Sequence, residues 1–201
     1  MLLSFFLGGF FLWKTLKDSY PDEEILTLSI WMGILTLVAS LGWRYWSVGG
    51  TLAIPLVWAW LWGTRLKWDR WELFDALGQV GVLVGSFLAF SWGFELWLAG
   101  SLLFLGSLIL WWVKANFRHF SWYKSGRPGF VGVTSIVVFM VVWLGIANWH
   151  PTGIYLGGLA IEQWVAVWII IASLTALYIR GERRVTQDWK KVTKLWPNLK
   201  K

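Results

Sequence analysis

Three carboxylates fall inside or at the edge of apolar stretches of this chain: Asp75, Glu95 and Glu162. An ionised group at membrane depth is costly, so each is a functional candidate unless it reaches water or the headgroups. Asp75 and Glu95 are expected near helix ends, and Glu162 about two turns into the last helix. Arg44 stands apart from every other basic residue, where it could anchor a lipid phosphate or cap a helix. The two histidines, His119 and His150, fall in connections expected on opposite sides, so they cannot share a metal. The chain has no cysteine, which removes disulfides, thiolate metal sites and thiol nucleophiles together. It has no phosphate loop, no Ser-His-Asp order and no metal-ligand spacing. No catalytic set is fixed by these residues; if the chain is active, the candidates are Arg44, Glu95, Glu162 and His150, with no cofactor or metal implied.

These groups must be positioned by very apolar elements. Of 201 residues, 57% are hydrophobic and only 14% charged, against about a quarter charged in a soluble domain. The mean hydropathy is +0.58. Such a chain is neither disordered nor an ordinary soluble domain. Its 20 tryptophans suit rings placed at membrane interfaces. Seven apolar stretches run over about 2–16, 25–45, 49–63, 72–90, 93–114, 129–149 and 155–179. Backbone polar groups in lipid must be satisfied within the segment, so each is expected to be a helix. The first and third are short for a span of about 20 residues and would need local thinning or snorkelling ends. The first lacks the basic start and small-residue cleavage site of a secretory signal. Tyr20-Pro21-Asp22-Glu23-Glu24 reads as a turn entering the second helix, its acids favouring the helix dipole. Gly81 and Gly85, four apart, are expected to form a close-packing face.

Charge placement orients the path. Lys14 and Lys17 follow the first stretch; Arg65, Lys67 and Arg70 the third; Lys114, Arg118, Lys124 and Arg127 the fifth. Eight more follow the seventh, from Arg180 to Lys201, which leaves Arg44 alone on the other side. Basic residues favour the cytoplasmic face. The expected fold is an all-α bundle of seven membrane helices over residues 1–180, N-terminus outside, with a basic cytoplasmic tail over 181–201. That tail, with Trp189 and Trp196 interleaved, reads as a segment attracted to anionic headgroups rather than to nucleic acid.

The order of small motifs resembles the prolipoprotein diacylglyceryl transferase family, seven-helix enzymes of the bacterial inner membrane. Val48-Gly49-Gly50 looks like the family's His-Gly-Gly. Gly78-Gln79-Val80-Gly81-Val82-Leu83-Val84-Gly85-Ser86-Phe87-Leu88 is similar to its Gly-Gln-x-x-Gly-Arg-x-Gly-Asn-Phe-Leu. Gly93-Phe94-Glu95 resembles its Leu-Tyr-Glu, Pro128-Gly129 its cytoplasmic Pro-Gly, and Glu162-Gln163-Trp164 the start of its last helix. The resemblance implies the same fold and orientation. It also implies the transfer of diacylglyceryl from phosphatidylglycerol to the lipobox cysteine of a preprolipoprotein. Gly49, Gly50, Gly78, Gln79, Gly85, Ser86 and Gln163 are then the lipid-binding or motif remnants.

The departures fall on the ionic positions. Val48 stands for the loop histidine, Leu83 for the arginine and Ser86 for the asparagine of the fourth helix. Trp143 and Ala147 stand for a second arginine and a glutamate, and Ser40 for the arginine of the second helix. Leucine, valine and tryptophan cannot hold a phosphate or take a proton. The expected function is a non-catalytic relative that binds phospholipid, a preprolipoprotein or another membrane protein. Two alternatives stand beside it: a divergent active transferase built from Arg44, Glu95, Glu162 and His150, and a small transporter or channel.

Overall fold

Amides in apolar surroundings have no water to bond, and this chain satisfies them inside helix after helix. The computed structural model describes residues 2–41, 48–91, 96–120, 123, 125–146 and 155–182. Seven α-helices carry the fold: α1 (Leu2–Leu16), α2 (Asp22–Leu41), α3 (Val48–Arg65), α4 (Arg70–Ser91), α5 (Trp97–Asn116), α6 (Phe130–Ile146) and α7 (Ile161–Arg180). A 3-10 turn at Phe117–His119 extends α5. Strand β1 (Tyr155–Leu156) pairs antiparallel with β2 (Leu159–Ala160) just before α7.

Among the described residues, α4, α7 and α5 with its 3-10 extension are long and apolar enough to cross a membrane. The apolar stretch Phe130–Gly145 of α6 is shorter. The α7 boundary corrects the sequence expectation of a helix from residue 155. Gly157 and Gly158 take φ of +59° and +85°, a backbone that reverses the chain into a hairpin. The helix therefore starts at Ile161, and Glu162 sits in its first turn rather than two turns deep.

α4 is the central element, packing on α1, α3, α5 and α6, whereas α7 packs on α6 and β2. One apolar cluster lies between α1, α2, α3 and α4, around Leu12, Leu16, Ile25, Leu28, Leu73 and Ala76. A second lies between α4 and the later helices, around Val82, Leu103, Leu110, Phe130 and Val131. Close backbone approach lets helices pack tightly where small residues meet. That approach occurs between α4 and α6. A Cβ on Gly78 would stand 2.9 Å from the Gly132 Cα, and one on Gly132 would stand 2.7 Å from the Phe74 carbonyl oxygen. Gly81, expected in this role, meets only Leu56 at 3.7 Å.

The α1–α2 and α3–α4 connections meet at one end and are stitched by polar side chains. Asp69 accepts the N–H groups of Trp71 and Glu72 at 2.8 and 3.1 Å and so caps α4. The Tyr20 ring stacks on Trp68 at 4.3 Å, its hydroxyl donates to Glu72 at 3.1 Å, and it accepts the Asp69 N–H at 3.0 Å. Ser19 donates to the other Glu72 oxygen at 2.7 Å. The indoles of Trp13 and Trp68 donate to Asp22 and Glu24 at 2.7 and 3.1 Å. The α2 acids thus serve both the helix dipole and these indoles. Burial pushes the Tyr20 hydroxyl above the usual tyrosine range; the Asp69 N–H pulls against this, and the Glu72 carboxylate adds to the rise.

Candidate functional site

The sequence candidates divide sharply. Arg44, Glu95 and His150 lie outside the described residues. Gly49 and Gly50 lie in the first turn of α3. Glu162 is partly exposed in the first turn of α7, an acid at the positive end of a helix dipole. Its neighbour Gln163 is buried, and its side-chain oxygen accepts the Ala160 N–H at 2.9 Å. The Trp164 indole donates to the Leu156 carbonyl at 2.8 Å. Gln163 thus ties the hairpin to the start of α7.

The fourth-helix residues pack as core. Leu83 and Ser86 are buried, and the Ser86 hydroxyl donates to the Leu83 carbonyl at 2.7 Å, within its own helix. Trp143 stacks on Phe139 at 6.5 Å and lines an apolar void between α4, α5 and α6. Gln79 is buried too, and its side-chain oxygen has no hydrogen-bond partner among the described residues.

Asp75 is the buried carboxylate of α4. Its Oδ2 accepts the Gly129 N–H at 2.7 Å and its Oδ1 accepts the Gly132 N–H at 2.6 Å. These amides lie at the entry to α6 and in its first turn, where a helix has N–H groups with no partner of their own. A neighbouring helix therefore supplies the contacts that a capping box would make locally. Asp75 lies near the start of α4, toward a helix end as expected, and there it is an interhelical cap. Lys114 on α5 lies within electrostatic reach of it.

Arg180, at the end of α7, closes the same corner. Its guanidinium lies 3.6 Å from the centre of the Trp71 ring and donates to the Pro128 carbonyl. The Arg180 carbonyl accepts the Ser125 hydroxyl at 2.7 Å, and Arg127 pairs with Glu182 at 2.9 Å. Gly129 is held at φ +101° under the Trp71 ring, 2.5 Å from where a Cβ would stand. The corner joins α4, α6 and α7.

On the other side of α4 a groove opens between α1, α2, α3 and α4. Gly8, Met32, Gly33, Leu56, Gly81 and Val84 form much of its wall. Two α2 hydroxyls on the lining, Ser29 and Thr36, donate to the Ile25 and Met32 carbonyls at 2.8 and 2.7 Å. Their donor hydrogens are therefore used within α2, and the wall they share is apolar in character.

Comparison with protein families, with characterised proteins and with solved structures gave no match to this chain. The fold defines an all-helical bundle with membrane-type helices, built on α4.

Proposed function

We propose that this chain is a multi-pass protein of the bacterial inner membrane, built on the diacylglyceryl transferase plan, that binds phospholipid without transferring it. In this reading seven helices cross the bilayer, N-terminus outside and basic tail in the cytoplasm. The placement of Lys and Arg supports that orientation. The observation that carries the loss of chemistry is the pair Leu83 and Ser86. The resemblance would put an arginine and an asparagine there, and the bundle has a packed seam with the one hydroxyl bonded inside its helix. Stabilising developing charge is often the largest catalytic contribution, and such a seam supplies none.

The experiment is a transfer assay. The full chain is reconstituted with labelled phosphatidylglycerol and a lipobox peptide bearing its cysteine, with a working transferase run alongside. No label on the peptide is expected. Label on the peptide would overturn the reading, and Arg44→Ala, Glu95→Ala, Glu162→Ala and His150→Ala would then locate the site.

A further inference from the structure

Glu72, Asp75 and Gln79 stand at i, i+3 and i+7 of α4 and so share one face of that helix. α5 runs antiparallel along this face. A Cβ on Gly100 would stand 3.0 Å from the Ser86 carbonyl oxygen, and one on Gly106 would stand 4.0 Å from the Val82 side chain. The same register carried toward Arg70 sets Lys114 beside Asp75, and Lys114 lies within electrostatic reach of both Asp75 and Glu72. Gln79 is one helical turn deeper, about 6 Å along the axis. It is 5% exposed, near the middle of a helix long and apolar enough to cross a membrane, and its side-chain oxygen has no partner among the described residues. Lys114 is half-buried and makes no hydrogen bond or ion pair among the described residues. The two carboxylates do not take it up directly: Glu72 accepts from Ser19 and Tyr20, and Asp75 from Gly129 and Gly132.

We infer that the α4–α5 seam is a water-binding inlet, open at the Glu72 and Lys114 end and closed just beyond Gln79. The inference goes beyond lipid binding and rests only on the membrane part of the reading above. Charge selects the occupant. An anion would meet Glu72 and Asp75, and a cation would meet Lys114. A small neutral molecule that both donates and accepts meets neither objection. Water here has the partners a buried water needs: the Gln79 amide, the Lys114 ammonium and the second lone pairs of the Asp75 oxygens. Ionised groups within spanning helices face the bundle interior or a water-filled cavity, and an inlet at this seam gives Lys114 and Asp75 that surrounding. Beyond Gln79 the seam is apolar and packed. Val82, Leu83 and Leu103 are buried, and the Ser86 and Ser107 hydroxyls donate to the Leu83 and Phe104 carbonyls of their own helices. The inlet is therefore blind, which separates it from a through channel.

The test reads water at Gln79 in the reconstituted full chain by NMR of side-chain amides labelled with nitrogen-15 glutamine. The glutamines are Gln79, Gln163 and Gln187, and Gln79→Leu assigns the first by the loss of its signal. The Gln79 amide hydrogens are expected to exchange with water. Lys114→Met should slow that exchange about tenfold by making the mouth apolar, and Lys114→Arg should restore it. Gln163, whose oxygen ties the hairpin to α7, should keep its signal and rate in both variants and so reports that they fold. A Gln79 amide out of exchange with water in the unaltered chain would overturn the inference without any variant, as would a rate indifferent to Lys114→Met. The closed end is tested with Gln79→Cys, which gives the chain a single thiol. A membrane-impermeant methanethiosulfonate applied from the His150 side should leave it unmodified, with His150→Cys as the reacting control. Modification of Gln79→Cys from that side would overturn the closed end and make the seam a path. A dry Gln79 overturns the inlet alone and leaves the membrane reading, which two-sided labelling of His119→Cys and His150→Cys tests by itself.

Discussion

Asp75 on α4 and Gly132 on α6 are joined by a 2.6 Å hydrogen bond from a backbone N–H to a buried carboxylate oxygen. With the companion bond from Gly129, it makes the start of α6 depend on α4. The local sequence explains why. The positions before and within the first turn of α6 read Gly129-Phe130-Val131-Gly132, with no Ser, Thr, Asp or Asn to cap the helix and no Glu or Gln to reach back. The same glycines admit the close approach of the two helices. Packing and capping are therefore one arrangement.

Asp75→Ala should leave both amides unpaired and buried, at about 1–3 kcal/mol each. Asp75→Asn keeps one acceptor oxygen and should cost clearly less. Thermal unfolding in detergent, followed by circular dichroism, ranks the two. Equal stability of Asp75→Ala and the parent would show that the cap contributes nothing.

The helices were legible from hydropathy because long apolar segments leave little choice of backbone structure. The first stretch, read as 2–16, is α1 as observed, and the acidic turn at Asp22 opens α2. The hairpin before α7 was not legible. Tyr155, Leu156, Leu159 and Ala160 are as apolar as the helix that follows, and only Gly157-Gly158 marks the reversal. Asp75 was visible as a charge in a span, but its role depends on which helix lies opposite. The uncapped start at Pro128-Gly129 was the one local sign that α6 takes a cap from elsewhere. The groove left no periodic signature, because its wall is shared among four helices.

Tyr20 gives the protein a sensitivity to alkaline pH. Burial raises its hydroxyl above the usual range, so the folded chain favours the neutral form. That contribution is intact below the ordinary tyrosine value of about 10 and is lost as pH rises through the higher folded value. Tyr20→Phe removes the bonds to Glu72 and from Asp69 and should cost about 1–2 kcal/mol at neutral pH. The difference between variant and parent should then shrink above pH 10 in melting curves. A difference that stays constant across that range would sink the assignment.

Two glycines of α6 should behave oppositely on substitution. A Cβ at Gly132 meets the Phe74 carbonyl oxygen at 2.7 Å, and backbone cannot rotate away as a side chain can. Gly132→Ala should force α4 and α6 apart and cost about 1–3 kcal/mol. A Cβ at Gly145 meets nothing within 4 Å. Gly145→Ala should leave stability unchanged or raise it by at most about 1 kcal/mol, since alanine loses less backbone freedom in a helix. Chemical unfolding in mixed micelles compares them directly, and similar effects at both sites would exclude the close approach as a determinant of stability.

The proposed orientation predicts which aqueous face reaches each histidine. His119 follows α5 beside Lys114 and Arg118, on the side assigned to the cytoplasm, and His150 follows α6 on the opposite side. The absence of native cysteine makes the labelling clean, because His119→Cys and His150→Cys each introduce the chain's single thiol. In intact cells a membrane-impermeant maleimide should modify His150→Cys alone; after permeabilisation it should also modify His119→Cys, which is exposed on the 3-10 turn. Labelling of His119→Cys alone in intact cells would invert the orientation. Labelling of both before permeabilisation would place the two connections on one face and remove the odd number of crossings between them.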